Sequence, residues 1–189
     1  FILAPRLNAA GRIADAKDGL RLLLTEDPAE AAALARELET LNARRQALDQ
    51  KILDEAIELA DKTLREDDRA LVLAADEWHP GVIGIVASRL VERYGRPTFM
   101  IAWEKEGDVG RGSGRSIAGF DLHAALHRVA PYLEKYGGHT MAAGLTIRRD
   151  RYEDQLLELA RVIRGELENP YPYRHEYLVQ EVLLAASGY

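Results

Sequence analysis

The sequence of 189 residues contains no cysteine, which excludes disulfide bonds and thiolate metal sites. Long apolar runs are missing too, since no segment approaches the ~18 consecutive apolar residues that suggest a membrane-spanning helix. Basic residues are not in excess, because 25 Lys and Arg face 31 Asp and Glu. This balance argues against a broad basic face for nucleic acid, so any phosphate binding must be local.

The remaining composition is that of a folded protein, with 47% hydrophobic and 30% charged residues. It predicts one ordinary domain plus an appendage, in a soluble protein with no membrane partner. The absence of cysteine fits a cytoplasmic location. The chain begins at Phe1 in the middle of a pattern, so we expect it to be part of a longer protein.

A stretch without glycine or proline, residues 29–68, predicts one long helix of roughly 60 Å at 1.5 Å per residue. Asp27 and Pro28 supply an N-cap and a first helical residue. The apolar stripe of this helix is interrupted at Arg45 and Glu55. We expect the stripe to pack partly on residues outside this chain, and a coiled-coil dimer seam is the alternative.

The pattern then changes to alternating strands and helices. Apolar runs at 70–75 and 98–103 predict strands, with a helix at 82–94 between them. The predicted fold class is therefore α/β: a long connector helix followed by a small mixed β-sheet domain flanked by helices. Trp78 and His79 follow the first strand, where ligands bind in such sheets, but a packed aromatic beside a turn histidine explains them equally well.

The segment YGGHTMAAG, Tyr136–Gly144, concentrates small residues around one histidine. Gly137 and Gly138 can adopt positive φ, which predicts a nest of backbone amides that binds an anion, with His139 at its rim. The alternative is a helix C-cap, in which Gly137 ends a helix running from Leu122 to Tyr136.

The segment GRGSGRSI, Gly110–Ile117, combines arginines, serines and glycines. In an extended strand, Arg111 and Arg115 lie on one face, and Ser113 and Ser116 add further donors. The glycines predict poor packing as a core strand but close backbone approach to a phosphate. A flexible Gly-Ser linker is the alternative.

The segment PRLNAAGR, Pro5–Arg12, places Arg6 and Arg12 where they can hold phosphates. Asn8 and Gly11 suit a turn that tolerates left-handed backbone. The alternative is a surface turn with two solvated arginines, which composition alone favours.

The rest of the chain adds few candidates. His123 and His127 have the spacing of a helical metal pair, but no third ligand accompanies them, so we predict no metal site. Lys105–Asp108 predicts a hairpin turn. The remaining predictions are strands at Leu145–Arg148 and from Glu176 to Leu184, a helix at Tyr152–Glu168 and a proline-rich linker at 169–173.

Four segments, LAPRLNAAGRI, WHPGVIGIVASRL, GRGSGRSI and GGHTMAAG, occur in the order typical of one family. In these segments the chain resembles the RecJ single-strand-specific exonucleases of the DHH phosphoesterase superfamily. The resemblance implies that residues 1–26 are the tail of a catalytic domain and 27–68 the connector helix. It also implies a DHH-associated substrate-binding domain at 69–168, and a linker with the start of an oligonucleotide-binding fold at 169–189.

The function that this resemblance implies is 5′-to-3′ hydrolysis of single-stranded DNA in DNA repair and recombination. Mn²⁺ or Mg²⁺ would be held by ligands outside this chain, so we expect the chain alone to be inactive. Single-strand-binding protein and other repair proteins are the implied partners. The residues expected to bind substrate phosphate are His139, Arg115, Arg111, Gly137, Gly138, Ser113, Ser116, Arg6, Asn8, Arg12, His79 and Trp78.

Two other functions remain open. One is a DHH-family phosphodiesterase acting on short RNA or cyclic dinucleotides, which the PRLNAAGR segment argues against. The other is a non-catalytic interaction module, which the presence of His139, Arg115 and Arg111 argues against.

Overall fold

The computed structural model describes residues 2–64, 68–104, 108–152, 154 and 159. The chain divides into two compact units, residues 1–51 and 52–189, and the boundary falls inside a helix. The first unit contains α1 (Leu3–Ile13), α2 (Lys17–Leu24) and the beginning of α3 (Pro28–Thr63).

The segment Pro5–Arg12, predicted as a turn, lies within α1. Its leucine and alanines favour a helix, and Pro5 falls in the first turn, where a backbone N–H has no intrahelical partner. Asn8 and Gly11 therefore have helical backbone, and Gly11 has no positive φ. The prediction of a left-handed turn was wrong.

The predicted long helix is confirmed as α3, which runs for 36 residues. Its start has the predicted cap, because the Asp27 carboxylate accepts a hydrogen bond from the Ala29 N–H at 2.8 Å. At Arg45, where the apolar stripe of the helix is interrupted, polar side chains form a cluster. Arg45 pairs with Asp49 at 3.6 Å and donates to Asn42 Oδ1 at 3.0 Å.

The second unit is built on a five-stranded sheet, whose strands are β1 (Leu71–Ala75), β2 (Thr98–Trp103), β3 (Val109–Arg115), β4 (Lys135–His139) and β5 (Ala142–Arg148). Their order across the sheet is β1-β2-β3-β5-β4. β1 and β2 are parallel, whereas the other neighbours are antiparallel. This mixed sheet after a long helix confirms the predicted fold class.

A helix packs on each face of the sheet. α4 (Ile83–Tyr94) packs on β2 and β3, and α5 (Leu122–Arg128) packs on β4 and β5 from the opposite face. Buried side chains from the sheet and α5 form the core on that face, including Phe99, Ile101, Trp103, Leu122 and Leu145.

The C-terminal part of α3 belongs to this second unit and is hydrogen-bonded to it at two points. The Trp78 indole N–H donates to Glu55 at 3.0 Å, and the Tyr94 hydroxyl donates to Asp61 at 2.7 Å. Burial and this hydrogen bond raise the pKa of Tyr94 above its ordinary value.

The helix predicted from Leu122 to Tyr136 was too long. It begins as predicted, since the Asp121 carboxylate accepts from the Ala124 N–H at 2.9 Å, but it ends at Arg128. Pro131 follows and cannot continue it. The segment from 135 to 148 is instead the hairpin β4–β5, so both the predicted nest and the alternative helix cap at Gly137 were wrong.

Several predicted elements lie wholly or partly outside the described residues. They are the turn at Lys105–Asp108, the helix at Tyr152–Glu168, the linker at 169–173 and the strand from Glu176 to Leu184. Within the described ranges, no helix has the length and apolar content needed to cross a membrane.

Candidate functional site

Polar and small side chains share one face of β3, β5 and β4. Residues directly opposite in antiparallel strands point to the same face, so the register aligns them in rows across the three strands. The rows are Arg111–Thr146–Lys135, Ser113–Gly144–Gly137 and Arg115–Ala142–His139. We call these nine residues the polar face. It brings together five of the predicted site residues: His139, Arg115, Arg111, Ser113 and Gly137.

The glycines of β3 let large side chains pack against the face of the sheet opposite the polar face. Gly110, Gly112 and Gly114 point to the opposite face, where a Cβ would come within 2.7 Å of Trp103, 2.6 Å of Leu145 and 2.5 Å of Phe99, respectively. Large core side chains therefore lie directly across β3. The expectation that these glycines pack poorly in a core strand was wrong, because β3 is the central strand of the sheet.

Arg115 is held under helix α4. Its Nη1 donates to Ser113 Oγ at 3.1 Å and to the Gly114 carbonyl at 2.7 Å. A Cβ on Gly84 of α4 would lie 2.8 Å from both Arg115 Nη2 and Ser113 Oγ. Gly84 thus makes room for the guanidinium. Sequence reasoning missed this residue, although a glycine inside a helical pattern is unfavourable and signals such a reason.

His139 lies in the same row as Arg115, with Ala142 between them. Two strand spacings separate their backbones by roughly 10 Å, and the small Ala142 leaves the space between the two side chains open. His139 is exposed at the end of β4, and its Nδ1 accepts from the Met141 N–H at 3.4 Å. Arg115 and His139 thus lie in one row on the same face of the sheet, on either side of a small residue.

Arg111 and Lys135 mark the other end of the polar face. Arg111 is exposed, and its Nε donates to Glu104 at 2.6 Å. Lys135 is also exposed, and sequence reasoning missed it because only the register of β4 places it in the row. A groove of about 480 Å³ opens here, lined by Pro80, Ile83, Arg111, Gly112, Ser113, Lys135, Tyr136, Gly137, Gly144, Leu145 and Thr146.

Four predicted site residues of the second unit lie off the polar face. Gly138 has φ +145°, and a Cβ there would meet the Ala142 carbonyl at 2.4 Å, so the hairpin requires this glycine. Ser116 is buried and donates to the Phe120 carbonyl at 2.7 Å. Trp78 is only 4% exposed, and half-buried His79 accepts from the Gly81 N–H through Nδ1 at 3.1 Å.

The remaining candidates, Arg6, Asn8 and Arg12, lie on α1 in the first unit. Arg6 pairs with Glu39 of the same unit. Asn8 and Arg12 are exposed.

The two histidines of α5, His123 and His127, lie close to the Tyr136 ring. His127 Nδ1 lies 2.7 Å from the Tyr136 hydroxyl, and the His123 ring centroid lies 6.0 Å from that of Tyr136. Across the described part of the chain, no group of three or more His, Asp or Glu side chains is arranged to hold a metal ion. The donor set described here thus does not fit a resident Mn²⁺ or Mg²⁺.

The family model described as DHHA1 domain matches residues 67–168, which is more than half of the chain. The chain belongs to the DHHA1 family. Its DHHA1 domain contains the whole sheet, α4, α5 and the polar face.

Two proteins related to this chain are named single-stranded-DNA-specific exonuclease RecJ. The protein from Bacillus subtilis is 45% identical over 154 residues, which cover 82% of this chain and 20% of the relative. The protein from Escherichia coli is 42% identical over 160 residues, which cover 81% of this chain and 28% of the relative. The chain thus spans only a fifth to about a quarter of these proteins.

Crystal structures of RecJ from Thermus thermophilus have the same fold. The structure in complex with Mg²⁺ matches with a TM-score of 0.76 and 41% identity, over 87% of this chain and 25% of that chain. The structure in complex with Mn²⁺ matches with a TM-score of 0.76 and 42% identity, over 87% of this chain and 24% of that chain.

Proposed function

We propose that this chain is the substrate-binding part of a RecJ-like 5′-to-3′ exonuclease, in which the polar face holds a phosphate of single-stranded DNA. The observation that carries the proposal is the row Arg115–Ala142–His139, which presents two cationic or hydrogen-bonding side chains on either side of a small residue. Arginine suits this task because its planar fork matches the oxygens of a phosphate. The relatives named for single-stranded DNA support the choice of substrate.

The electrostatics of the whole chain agree with local phosphate binding. With a formal charge of −6, the protein cannot attract DNA through a general basic surface. Arg111, Arg115 and Lys135 nevertheless share one small face of one sheet, so their positive charge is local. Neutralising a few phosphates in this way makes affinity dependent on salt.

The proposed division of labour separates binding from cleavage. Metal-dependent hydrolysis, with Mn²⁺ or Mg²⁺, takes place on a domain outside this chain, for which 1–26 is the tail and 27–68 the connector. The DHHA1 domain contributes by fixing the position of the phosphate, and positioning alone can lower a barrier by several kcal/mol. A role in DNA repair and recombination, a cytoplasmic location and contact with single-strand-binding protein belong to the same proposal.

The proposal predicts that Arg115→Ala, in the full-length enzyme, weakens binding of single-stranded DNA and lowers kcat/KM about 10²-fold, because the reacting phosphate is no longer held. Arg115→Lys should fail to restore kcat/KM, since an ammonium lacks the bidentate fork. Arg128→Ala is the matched control: this exposed arginine lies on α5, against the other face of the sheet. Fluorescence anisotropy and steady-state kinetics measure both effects, and unchanged binding and turnover in Arg115→Ala would contradict the proposal.

A further inference from the structure

At two positions of the polar face, Gly137 and Gly144, packing does not require a glycine. A Cβ on Gly137 would meet nothing within 4 Å, and one on Gly144 would meet only the Gly112 carbonyl, at 3.7 Å. Neither residue has a positive φ. A glycine inside a strand costs about 0.5–1 kcal/mol relative to alanine. The fold therefore tolerates side chains at both positions, and what they would fill is the groove.

The groove lies beside the Arg115–His139 row rather than on it. Its lining includes Gly137 and Gly144 but neither Arg115 nor His139. Exposed Pro80, which precedes α4, and the buried first residue of that helix, Ile83, line an apolar side of the groove. The row Arg111–Thr146–Lys135 forms its polar end. Its volume of about 480 Å³ lies in the range of small-molecule sites.

We propose that this groove is a second subsite, which binds the nucleotide next to the phosphate held by Arg115 and His139. The deoxyribose lies over the bare backbone of Gly137 and Gly144, with its base against the apolar side of the groove. The following phosphate contacts Lys135 and Arg111. This inference rests on the proposed function and adds to it a site that extends along the strand.

The length and the charge of the polar face suit a nucleotide with its flanking phosphates. Arg111 and Arg115 are four residues apart in β3, which separates the two ends of the polar face by roughly 13 Å, enough for a nucleotide and its flanking phosphates. Lys135 is exposed and makes no ion pair with another described residue, so its ammonium is available to an anion. The carboxylate of Glu104 pairs with Arg111 and reduces the positive charge at this end.

The test measures binding of a 5′-phosphorylated tetradeoxythymidylate to the full-length protein in EDTA, by anisotropy at several salt concentrations. Lys135→Ala should reduce the slope of log K against log salt by about 0.7, as expected for one lost contact to single-stranded DNA. Glu104→Gln should strengthen binding, because it removes the charge that competes with the phosphate for Arg111.

A steric variant tests the floor of the groove. Gly137→Val should lower affinity about tenfold, equivalent to ~1.4 kcal/mol, without lowering the thermal midpoint. Ala124→Val is its matched control, because Ala124 is exposed on α5 at the opposite face of the sheet.

The results for Arg115→Ala and Lys135→Ala together distinguish a failure of the second subsite from a failure of the proposed function. If Arg115→Ala loses binding while Lys135→Ala keeps the wild-type salt slope and affinity, the second subsite is wrong and the proposed function stands. If Arg115→Ala and Lys135→Ala both bind as the wild type does, the proposed function is wrong and the subsite with it. Lys135 is exposed, so its replacement reports on binding independently of the steric variant.

Discussion

At the scale of single residues, the glycines of this domain serve three different purposes. Gly110, Gly112 and Gly114 lie beneath large core side chains, Gly138 adopts a backbone that the hairpin requires, and Gly137 lies bare in the groove. The sequence alone does not distinguish these three roles. Two adjacent glycines before a histidine suggested an anion-binding nest, and the register of a hairpin, which sequence does not reveal, assigned them different roles.

Trp78 is a residue for which sequence left two interpretations open, and burial favours the structural one. Because its indole donates to Glu55 from a site only 4% exposed, we expect Trp78→Phe to destabilise the protein by at least about 1 kcal/mol through the lost hydrogen bond. Affinity for single-stranded DNA should not change. Urea unfolding and anisotropy measure the two effects, and weaker DNA binding at unchanged stability would show that Trp78 contacts the substrate instead.

At the scale of elements, helix α4 limits the position of the Arg115 side chain on β3. Gly84 lies in the first turn of α4, where replacing glycine by alanine ordinarily stabilises the helix by up to about 1 kcal/mol. Here the new Cβ would displace the Arg115 guanidinium and the Ser113 hydroxyl, so we expect Gly84→Ala to weaken DNA binding and to gain little or no stability. Glu92→Ala, an exposed change on the same helix, is the control. A more stable Gly84→Ala protein with wild-type affinity would refute this role.

The elements that sequence predicted well have local signals. The long helix α3 has a cap and no breaker, β1 and β2 are short bounded apolar runs, and α4 lies between them. The hairpin of β4 and β5 has no such signal, because β4 is an exposed edge strand with two glycines. Its existence depends on pairing between β5 and the distant strand β3, and only that pairing places Lys135 and Thr146 beside Arg111.

At the scale of the whole molecule, the proposed function assigns binding and cleavage to different parts of a longer enzyme. The described residues contain the polar face but no cluster of metal ligands. We therefore expect the purified chain to show no nuclease activity on single-stranded DNA with Mn²⁺. Reproducible cleavage that disappears when one of this chain's own residues is replaced would contradict that expectation.

The measurement that tests the central claim most directly is the turnover of His139→Ala in the full-length enzyme, compared with its thermal midpoint. His139 is exposed, so its loss should leave the fold intact. If the row Arg115–Ala142–His139 holds the reacting phosphate, kcat/KM on single-stranded DNA should fall about 10²-fold at an unchanged midpoint. Wild-type turnover in His139→Ala would show that the polar face does not hold the reacting phosphate.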